Sequence, residues 1–276
     1  MILAMPVTAA LVAGCAGTPS PIAPASQVAN ALKRSWISPE AKKQPLLYVS
    51  SVLTNDVYVY AYSSRKLVGT LTGFETPYGL CVDTSGDVWV VNDGAQNVVE
   101  YAHGGSKPIA TLPDRGEYPE GCSVDPTTGN LAVTNFSSNS GSGSVSIYAG
   151  AQGNPQTYSD PTLLEYRFCG YDDRGNLFVD GAGAGSTFAF AELPKGSATF
   201  TDITLSQSVE WPGGVQWTGK DVAVGDTDAH VIYEVAGRTG KVKRSTQLTD
   251  ANYVNQFWIT GKKVVAASQD ANAVGY

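Results

Sequence analysis

A repeated pattern dominates this sequence and constrains how the chain can fold. Five segments combine an apolar stretch, a turn with glycine and a second apolar stretch; they begin at Pro77, Pro119, Tyr166, Pro212 and Val254. The turn glycines, spaced 43, 46, 44 and 42 residues apart, are Gly86, Gly129, Gly175, Gly219 and Gly261. A sixth copy of the second half begins at Leu46. Such a period indicates equivalent units that stack, because one unit cannot bury both of its own faces.

Each unit contains four short stretches that are apolar or alternate between apolar and polar residues. In the unit that begins at Pro77 the stretches are Tyr78–Asp83, Val88–Asn92, Asn97–Ala102 and Pro108–Leu112. Short strands at regular spacing, separated by turn residues, are typical of all-β sandwiches, barrels and propellers. A period of about 44 residues with four strands per unit favours the β-propeller. The sequence therefore predicts an all-β protein with β-propeller architecture.

The length of the repeat region predicts six blades with incomplete closure. Residues 46–276 span about five and a quarter periods, whereas a closed ring of six blades needs about 264 residues. Six second strands are present, and the sequence stops inside the third strand of the last unit, at residues 273–276. Two explanations stay open. Residues before Leu46 complete the ring, or about 30 residues are missing after residue 276, which the length favours.

The unit resembles a known propeller repeat. The pattern P-x-G-x-x-V-D-x-x-G-x-[LV]-x-V, followed by a polar loop and V-x-x-[YF], is similar to the NHL repeat and extends over residues 46–276. The copies from Pro77 and Pro119 match closely, the copy from Tyr166 lacks the proline, and the last two copies lack the aspartate at the turn. This resemblance implies that the first strand of each blade lines a central channel, whose entrance is the usual binding face.

Residues 1–15 resemble a bacterial lipoprotein signal segment. A small and apolar run from Ile2 to Val12 precedes Ala13, Gly14 and Cys15, which is similar to the lipobox. No Lys or Arg precedes this run, as a normal signal segment requires, so a short apolar extension is the alternative. The resemblance implies an exported protein whose Cys15 carries acyl chains. Because no aspartate follows Cys15, the predicted location is the outer membrane, its periplasmic side or the cell surface.

Residues 16–45 are predicted to form a Pro-rich tether with a short helix. The uncharged stretch of residues 16–25 contains Pro19, Pro21 and Pro24, and such stretches stay extended and act as spacers. Residues 27–34 predict one or two helical turns. The predicted domains are therefore the signal segment, this tether and a propeller over residues 46–276.

Composition narrows the range of partners. With 25 acidic and 18 basic residues the net charge is −7, which disfavours binding to a nucleic-acid backbone. No apolar run reaches the 18 residues or so that a membrane-spanning helix needs, so the lipid anchor is the predicted membrane contact. Only His103 and His230 are available for histidine-based metal sites or triads. We expect a monomer whose partner is a small polar ligand or an envelope protein.

Five equivalent positions lie at the start of the predicted channel strands; they are Tyr78, Glu120, Arg167, Gly213 and Asn255. In the gluconolactonase and senescence-marker-protein family, which has a similar fold, acidic or amide side chains just before a glycine hold a divalent metal. Of the positions here, only Glu120 and Asn255 offer such ligands, and Arg167 would repel a cation. A calcium ion needs six to eight oxygen ligands. We therefore expect no cofactor, with calcium or zinc at Glu120 and Asn255 as the alternative.

Glu120 and Arg167 are predicted to pair across adjacent blades, because an arginine fork suits a carboxylate. One interpretation is that this pair only neutralises the channel. The other is that Arg167, with Tyr78 and Asn255, binds an anionic or polar small ligand. Among the aromatic residues, Trp211 and Tyr253 precede first strands and are the ones expected to reach this face.

A second set of polar residues lies where the second strands end: Asn92, Asn135, Asp180 and Asp226, with Ser51 and Ser268 at the equivalent positions. Asp93, Asp228 and His230 follow just beyond. One hypothesis is that these side chains form a ligand-binding or ion-binding face. The other is ordinary turn chemistry, since Asn and Asp hydrogen-bond to nearby backbone groups.

The cysteines after Cys15 are predicted to be buried free thiols. Cys122 and Cys169 share a register in neighbouring units, whereas Cys81 lies one residue out of it and is expected to face the other way. A bridge between Cys122 and Cys169 would need Cα atoms within about 7 Å of each other, which adjacent channel strands are expected to exceed. A cysteine nucleophile has no histidine partner at a fixed position in the repeat.

Two classes of function follow from these features, and a purely structural envelope protein is a third possibility. The first is a non-catalytic, membrane-tethered propeller of the cell envelope that binds a ligand or a protein. The second is a metal-dependent lactonase, hydrolase or lyase of the propeller type, for which Glu120 is the main candidate residue. Because propellers host many functions, the fold alone does not choose between these classes. The sequence offers no nucleophile paired with a base, so we do not expect catalysis.

Overall fold

The computed structural model confirms an all-β propeller. It describes residues 9–12, 34–249, 253–261, 263–268 and 273–275. Within these residues the strands form six sheets, and consecutive strands of each repeat are antiparallel neighbours. No helix in the described ranges is both long enough and apolar enough to cross a lipid bilayer.

The strands follow the repeat. The first blade contains β1 (Ala9–Val12), β2 (Trp36–Ile37), β3 (Leu46–Ser51), β4 (Asp56–Ala61) and β5 (Leu67–Thr72). The second blade contains β6 (Pro77–Val82), β7 (Val88–Asn92), β8 (Asn97–Tyr101) and β9 (Pro108–Pro113). The third blade contains β10 (Glu117–Val124), β11 (Leu131–Ser138), β12 (Gly141–Tyr148) and β13 (Gln156–Tyr158).

The remaining strands continue this order. The fourth blade contains β14 (Glu165–Tyr171), β15 (Leu177–Ala182), β16 (Phe188–Leu193) and β17 (Thr201–Asp202). The fifth blade contains β18 (Pro212–Trp217), β19 (Val222–Asp226), β20 (Val231–Ala236) and β21 (Lys241–Gln247). The final sheet contains β22 (Phe257–Thr260), β23 (Lys263–Ser268) and β24 (Ala273–Gly275). Short 3-10 helices occupy Pro39–Lys43, Ala149–Ala151, Ala184–Ser186 and Gly237–Thr239.

The prediction of six blades is corrected to five. Five sheets have at least four strands, whereas the final sheet has three strands in the described part of the chain. This final sheet nevertheless packs against the first blade, where Leu47 and Val49 share a buried cluster with Val265 and the partly buried Trp258. The first and last repeats are therefore in contact.

Residues before Leu46 contribute to the first blade at both of its edges. β1 pairs in parallel with β3 on the inner side, and β2 pairs antiparallel with β5 on the outer side. Ala41, in the 3-10 helix of residues 39–43, is fully buried. Part of the segment predicted as a tether, residues 36–43, thus packs on the propeller, while the predicted helix at 27–34 lies almost wholly outside the described residues.

The buried second strands explain why their sequences are nearly continuous apolar runs. Every residue of β7 is buried. Val88 and Val90 pack in a cluster with the first blade, and Trp89 and Val91 pack in a cluster with the third blade. Alternate side chains of a strand point to opposite faces, so a strand covered on both sides needs apolar residues at every position.

The innermost strands of neighbouring blades approach each other so closely that glycine is required. A Cβ atom on Gly79 would lie 2.4 Å from the carbonyl oxygen of Glu120 in the third blade. A Cβ atom on Gly121 would lie 2.7 Å from the carbonyl oxygen of Arg167 in the fourth blade. The glycine of the repeat therefore marks the place where main chain packs on main chain beside the central channel.

Hydroxyl groups join neighbouring blades at the same depth. Ser50 Oγ donates to the carbonyl oxygen of Tyr78 at 2.6 Å, and Thr134 Oγ1 donates to the carbonyl oxygen of Arg167 at 2.7 Å. Thr227 Oγ1 makes the equivalent bond to the carbonyl oxygen of Val254 at 3.2 Å. Each hydroxyl belongs to a second strand or its end and satisfies a carbonyl of the next channel strand, which buried backbone groups require.

The expectation of free thiols is wrong for two of the three cysteines. Cys81 and Cys122 form a disulfide, with their Cα atoms 5.6 Å apart, and Cys169 is free and buried. Adjacent blades present opposite faces to each other. The one-residue offset of Cys81 therefore turns it towards Cys122, while Cys122 and Cys169, which share a register, cannot face each other. The channel strands also lie closer together than the sequence suggested.

The close approach of the channel strands predicts a large cost for a small substitution. We expect Gly79→Ala to lower the free energy of unfolding by about 2–3 kcal/mol, because its methyl group would overlap backbone atoms. The measurement is urea unfolding. The control is Gly153→Ala, at an exposed glycine with positive φ and no atom within 4 Å of its Cβ position; it should cost about 1 kcal/mol. Equal losses in both variants would contradict the packing explanation.

Candidate functional site

A β-bulge near the start of the channel strands sets the direction of the candidate side chains. The pairing register shifts between Pro77 and Leu80 in the second blade and between Pro119 and Gly121 in the third. The fourth and fifth blades shift at the equivalent place. Bulges re-aim side chains and are common beside functional sites. Here they bring Tyr78, Glu120 and Arg167 to the channel entrance.

Arg167 is the centre of this entrance. As the sequence predicts, it pairs with Glu120 of the adjacent blade, at 3.1 Å between Nη1 and Oε1. A second ion pair joins its Nη2 to Glu165 Oε2 at 3.4 Å. Its guanidinium carbon also lies 4.6 Å from the ring centroid of Phe136 and 5.0 Å from that of Trp211. Two carboxylates and two aromatic rings therefore hold one arginine in place.

An open pocket lies beside Arg167, and we name it the mouth pocket. Its volume is about 320 Å³, and it is lined by Tyr78, Asp93, Tyr118, Pro119, Glu120, Phe136, Ser137 and Arg167. The lining residues come from the second, third and fourth blades. The volume lies at the lower end of the range typical of small-molecule sites.

The carboxyl groups of the mouth pocket are destabilised in their charged form. Burial raises the pKa of Glu120 to about 7; Arg167 acts against this shift, and the nearby carboxylates of Asp93 and Glu165 add to it. Burial also raises the pKa of Asp93. A carboxylate removed from water loses solvation, so its protonated form gains relative to its ionised form.

The structure brings together three of the four candidate binding residues predicted at the channel strands. Tyr78, Glu120 and Arg167 line the mouth pocket, whereas Asn255, which is half-buried before β22, is not among its lining residues. Glu120 and Asn255, proposed as ligands for a calcium or zinc ion, therefore do not share this pocket. Because Glu120 is already paired with Arg167, these residues fit a divalent metal poorly.

Two of the polar residues at the ends of second strands, Asn92 and Asp226, form hydrogen bonds with the backbone of neighbouring loops. Asn92 accepts a hydrogen bond from the backbone N–H of Glu75 at 2.7 Å and donates to Asn97 Oδ1 at 3.1 Å. Asp226 accepts from the backbone N–H groups of Glu210 and Trp211 at 2.8 and 3.3 Å. Asp226 therefore helps to position Trp211 against Arg167.

Asn135 and Asp180 are fully buried. Asn135 Nδ2 donates to the hydroxyls of Ser144 and Ser146, both at 3.0 Å. Asp180 Oδ1 accepts from the backbone N–H of Phe168 at 2.9 Å, and its other oxygen has no partner in the part of the chain that is described. Burial raises the pKa of Asp180 to about 8.

Three acidic side chains elsewhere come close enough to share an ion: Asp83, Asp87 and Glu100. Asp83 accepts hydrogen bonds from the backbone N–H groups of Ser85 and Asp87, at 2.8 and 2.9 Å. Asp87 accepts from the backbone N–H of His103 at 2.8 Å. These bonds give the two aspartates a structural role in shaping the turn.

Sequence reasoning missed Glu165 and Phe136. Glu165 lies two residues before Arg167 in β14, and side chains two apart in a strand share a face, so this spacing was the available signal. Phe136 follows Asn135 in β11, at a position where β7 and β19 have already ended, which the repeat did not predict. Trp211 reaches the site as expected, while the ring of Tyr253 packs against His230, with centroids 6.2 Å apart.

The buried carboxyl groups predict a fall in stability as pH rises. Asp180 and Glu120 bind protons more tightly in the folded chain than in the unfolded chain. Their contribution to the free energy of unfolding is therefore fully present below about pH 4 and is lost as pH rises through about 7 to 8. The free energy of unfolding of the unmodified protein should fall between about pH 6 and pH 9. In Asp180→Asn this fall should be smaller by at least about 1 kcal/mol. Urea unfolding at both pH values measures this.

The control for this prediction is Asp173→Asn, which removes an exposed carboxyl group of the same blade. Its pH dependence should match that of the unmodified protein. If Asp180→Asn left the pH dependence unchanged as well, Asp180 would not be protonated in the folded chain.

Comparison with known proteins shows the fold. No family model and no curated protein sequence match this chain. Among solved structures, virginiamycin B lyase from Staphylococcus aureus is similar at 13% identity with a TM-score of 0.61, over 84% of this chain and 78% of that chain. A catalytically inactive histidine-to-alanine variant of that lyase with quinupristin matches at 15% identity with a TM-score of 0.61, over 83% of this chain and 75% of that chain. The nidogen/laminin complex matches at 15% identity with a TM-score of 0.58, over 76% of this chain and 82% of that chain. These likenesses show that the chain has a β-propeller fold.

Proposed function

We propose that this protein is a non-catalytic, ligand-binding propeller whose mouth pocket receives a small polar molecule. The observation that carries the proposal is the fixed Arg167, held by Glu120 and Glu165 beside an open pocket with two tyrosines. Side chains that are already oriented lose little conformational freedom when a ligand binds. Such preorganisation favours a binding site at this entrance over a merely neutralised channel.

Binding without turnover is favoured by the state of Glu120. This carboxyl group is the most deeply buried acid of the mouth pocket, and its Oε1 is already engaged by Arg167. The ion pair gives Glu120 the role of positioning Arg167, and within the described residues it hydrogen-bonds to no second acid or base that could complete a catalytic pair.

A propeller lyase or hydrolase is the second candidate function, and one observation favours it. Similar folds in solved structures include virginiamycin B lyase. In that case Glu120, whose pKa is raised to about 7, would be the acid or base. A stoichiometric amount of calcium or zinc in the purified protein would favour this candidate over the binding function.

We propose further that the propeller is tethered to the cell envelope through Cys15. This residue and most of the tether lie outside the described residues. The structure pairs Ala9–Val12 with β3, inside the segment that cleavage before Cys15 would remove. The two arrangements are therefore distinguishable by the mature N-terminus.

In a bacterial host, the mature protein should incorporate labelled palmitate and begin at an acylated Cys15. Cys15→Ser should abolish both the labelling and the membrane association, because the acyl chains provide the attachment. Mass spectrometry of the N-terminal peptide measures the modification. An unlabelled protein that retains residues 9–12 would contradict the tether.

The binding function predicts that filling the mouth pocket abolishes ligand binding. Ser137 lines the pocket and is half-buried, so Ser137→Trp should occlude it without removing Arg167 or its partners. The measurement is the thermal shift produced by a panel of monosaccharides, amino acids, organic acids and amines. Compounds that stabilise the unmodified protein should lose their effect in this variant.

The matched control is Ser140→Trp, which places the same ring on the exposed tip of the β11–β12 hairpin. It should keep every shift that the unmodified protein shows. Shifts that survive Ser137→Trp would place binding elsewhere, and a panel without any shift would count against a small-molecule function.

A further inference from the structure

The end of the propeller that holds the mouth pocket carries charge of one sign. Its loops and strand ends contain many acidic residues, among them Glu75, Asp93, Glu117, Glu120, Glu165 and Asp228. The described segments of this end are residues 51–56, 72–78, 92–97, 113–120, 135–144, 158–167, 180–187, 205–213, 226–231 and 253–256. Across these segments Arg115 and Arg167 are the only arginine or lysine residues. Clustered charge of one sign attracts ligands of the opposite sign.

The opposite end of the propeller has a different character. Its loops contain basic residues that include Arg65, Lys66, Lys107, Lys195 and Arg238. The net charge of −7 is thus unevenly distributed along the propeller axis, with the excess of negative charge around the mouth pocket. A ligand that approaches this entrance meets a negative potential.

The positive charge of Arg167 does not offset this potential for a ligand. Its guanidinium pairs with two carboxylates and packs against two rings, and only 19% of its side chain is exposed. Because both of its Nη atoms are engaged, an anion would compete with Glu120 and Glu165 for the guanidinium. Breaking a buried ion pair by removing one partner is costly, so Arg167 is poorly placed to bind an anionic group.

Two carboxylates of the mouth pocket have unused acceptor capacity. Glu120 is 8% exposed, and its Oε2 has no hydrogen-bond partner among the residues that are described. The half-buried carboxylate of Asp93 likewise has no ion-pair or hydrogen-bond partner in those ranges. A partly desolvated carboxylate is unfavourable unless a cation pairs with it. Asp93 has no such partner in the described ranges, and Glu120 shares Arg167 with Glu165.

Aromatic rings complete the same pocket. Tyr78 and Tyr118 both line it, and Tyr118 is fixed by a hydrogen bond from its hydroxyl to Asn139 Oδ1 at 3.2 Å. The face of a tyrosine ring attracts an ammonium group through its quadrupole. Carboxylates and aromatic faces together form the usual environment for an organic cation.

We propose that the mouth pocket selects a small organic cation, a molecule with a primary or quaternary ammonium group. This inference rests on the proposed binding function and specifies the chemistry of its ligand. The ammonium group lies between the carboxylates of Asp93 and Glu120 and against the ring of Tyr78 or Tyr118. Of the anionic or polar ligands that the sequence left open, the anionic class is disfavoured.

Isothermal titration with choline and with putrescine tests this proposal, and 3,3-dimethyl-1-butanol is the neutral analogue of choline with the same shape. At least one of the two cations should bind, and the neutral analogue should bind at least about tenfold more weakly than choline where choline binds. Raising the salt concentration should weaken cation binding, because the pocket is open to solvent.

Asp93→Asn should weaken binding of the cation about tenfold, since it removes a carboxylate that has no other partner to lose. The matched control is Glu75→Gln, which removes the same charge from an exposed position on the same face, outside the pocket. It should leave the affinity within about twofold.

The outcomes separate the two proposals. If neither cation binds at millimolar concentration while a neutral sugar or an organic acid gives a shift that Ser137→Trp removes, the pocket binds ligands and the cation proposal is overturned. If cations bind but Asp93→Asn and Glu75→Gln weaken them equally, general attraction to the acidic face replaces a specific site. If no compound depends on the pocket, both proposals fail.

Discussion

Main-chain contact between neighbouring channel strands is the constraint on which the rest of this propeller depends. Where Gly79 lies against Glu120 and Gly121 lies against Arg167, no side chain fits between the strands. Cohesion at that depth comes from hydroxyl-to-carbonyl bonds such as Thr134 to Arg167 and from the disulfide of Cys81 and Cys122. The bulge beside each of these glycines then turns larger side chains out of this crowded layer. Polar and charged side chains therefore collect at the entrance, and the same packing that joins the blades shapes the candidate site.

The fold was predictable from sequence because the glycine turns and buried second strands recur with a fixed period. Each unit repeats them because each must pack against its neighbours to bury its faces. The blade count was not, since a period gives the size of a unit but not whether each unit completes all its strands. The disulfide was missed for a geometric reason. Cysteines in the same register of neighbouring blades do not face each other, whereas Cys81 and Cys122 lie on faces that oppose each other across the blade interface.

The site was predictable only as far as repeat equivalence extends. Glu120 and Arg167 occupy equivalent positions in adjacent blades, so their ion pair follows from the alignment. Glu165 and Phe136 lie outside the positions that the repeat aligns. Glu165 lies two residues before Arg167 in β14, and Phe136 lies in the extended end of β11. Asn255 has the right position in sequence but does not line the mouth pocket, since the pocket is built from the second, third and fourth blades. Equivalent positions share a backbone location, while function arises from neighbours that the repeat does not specify.

The role of Arg167 decides what the entrance can recognise. An isolated arginine at a channel mouth would favour anions, and the sequence alone suggested such a ligand. In the folded chain its charge is balanced by Glu120 and Glu165, so an anion would bear the cost of competing with these carboxylates for the guanidinium. A cation meets no such cost, because Asp93 and the free oxygen of Glu120 need not leave another partner. Arg167 thus acts as an internal counter-ion that keeps the acidic groups ordered, and the net charge that remains for a ligand is negative.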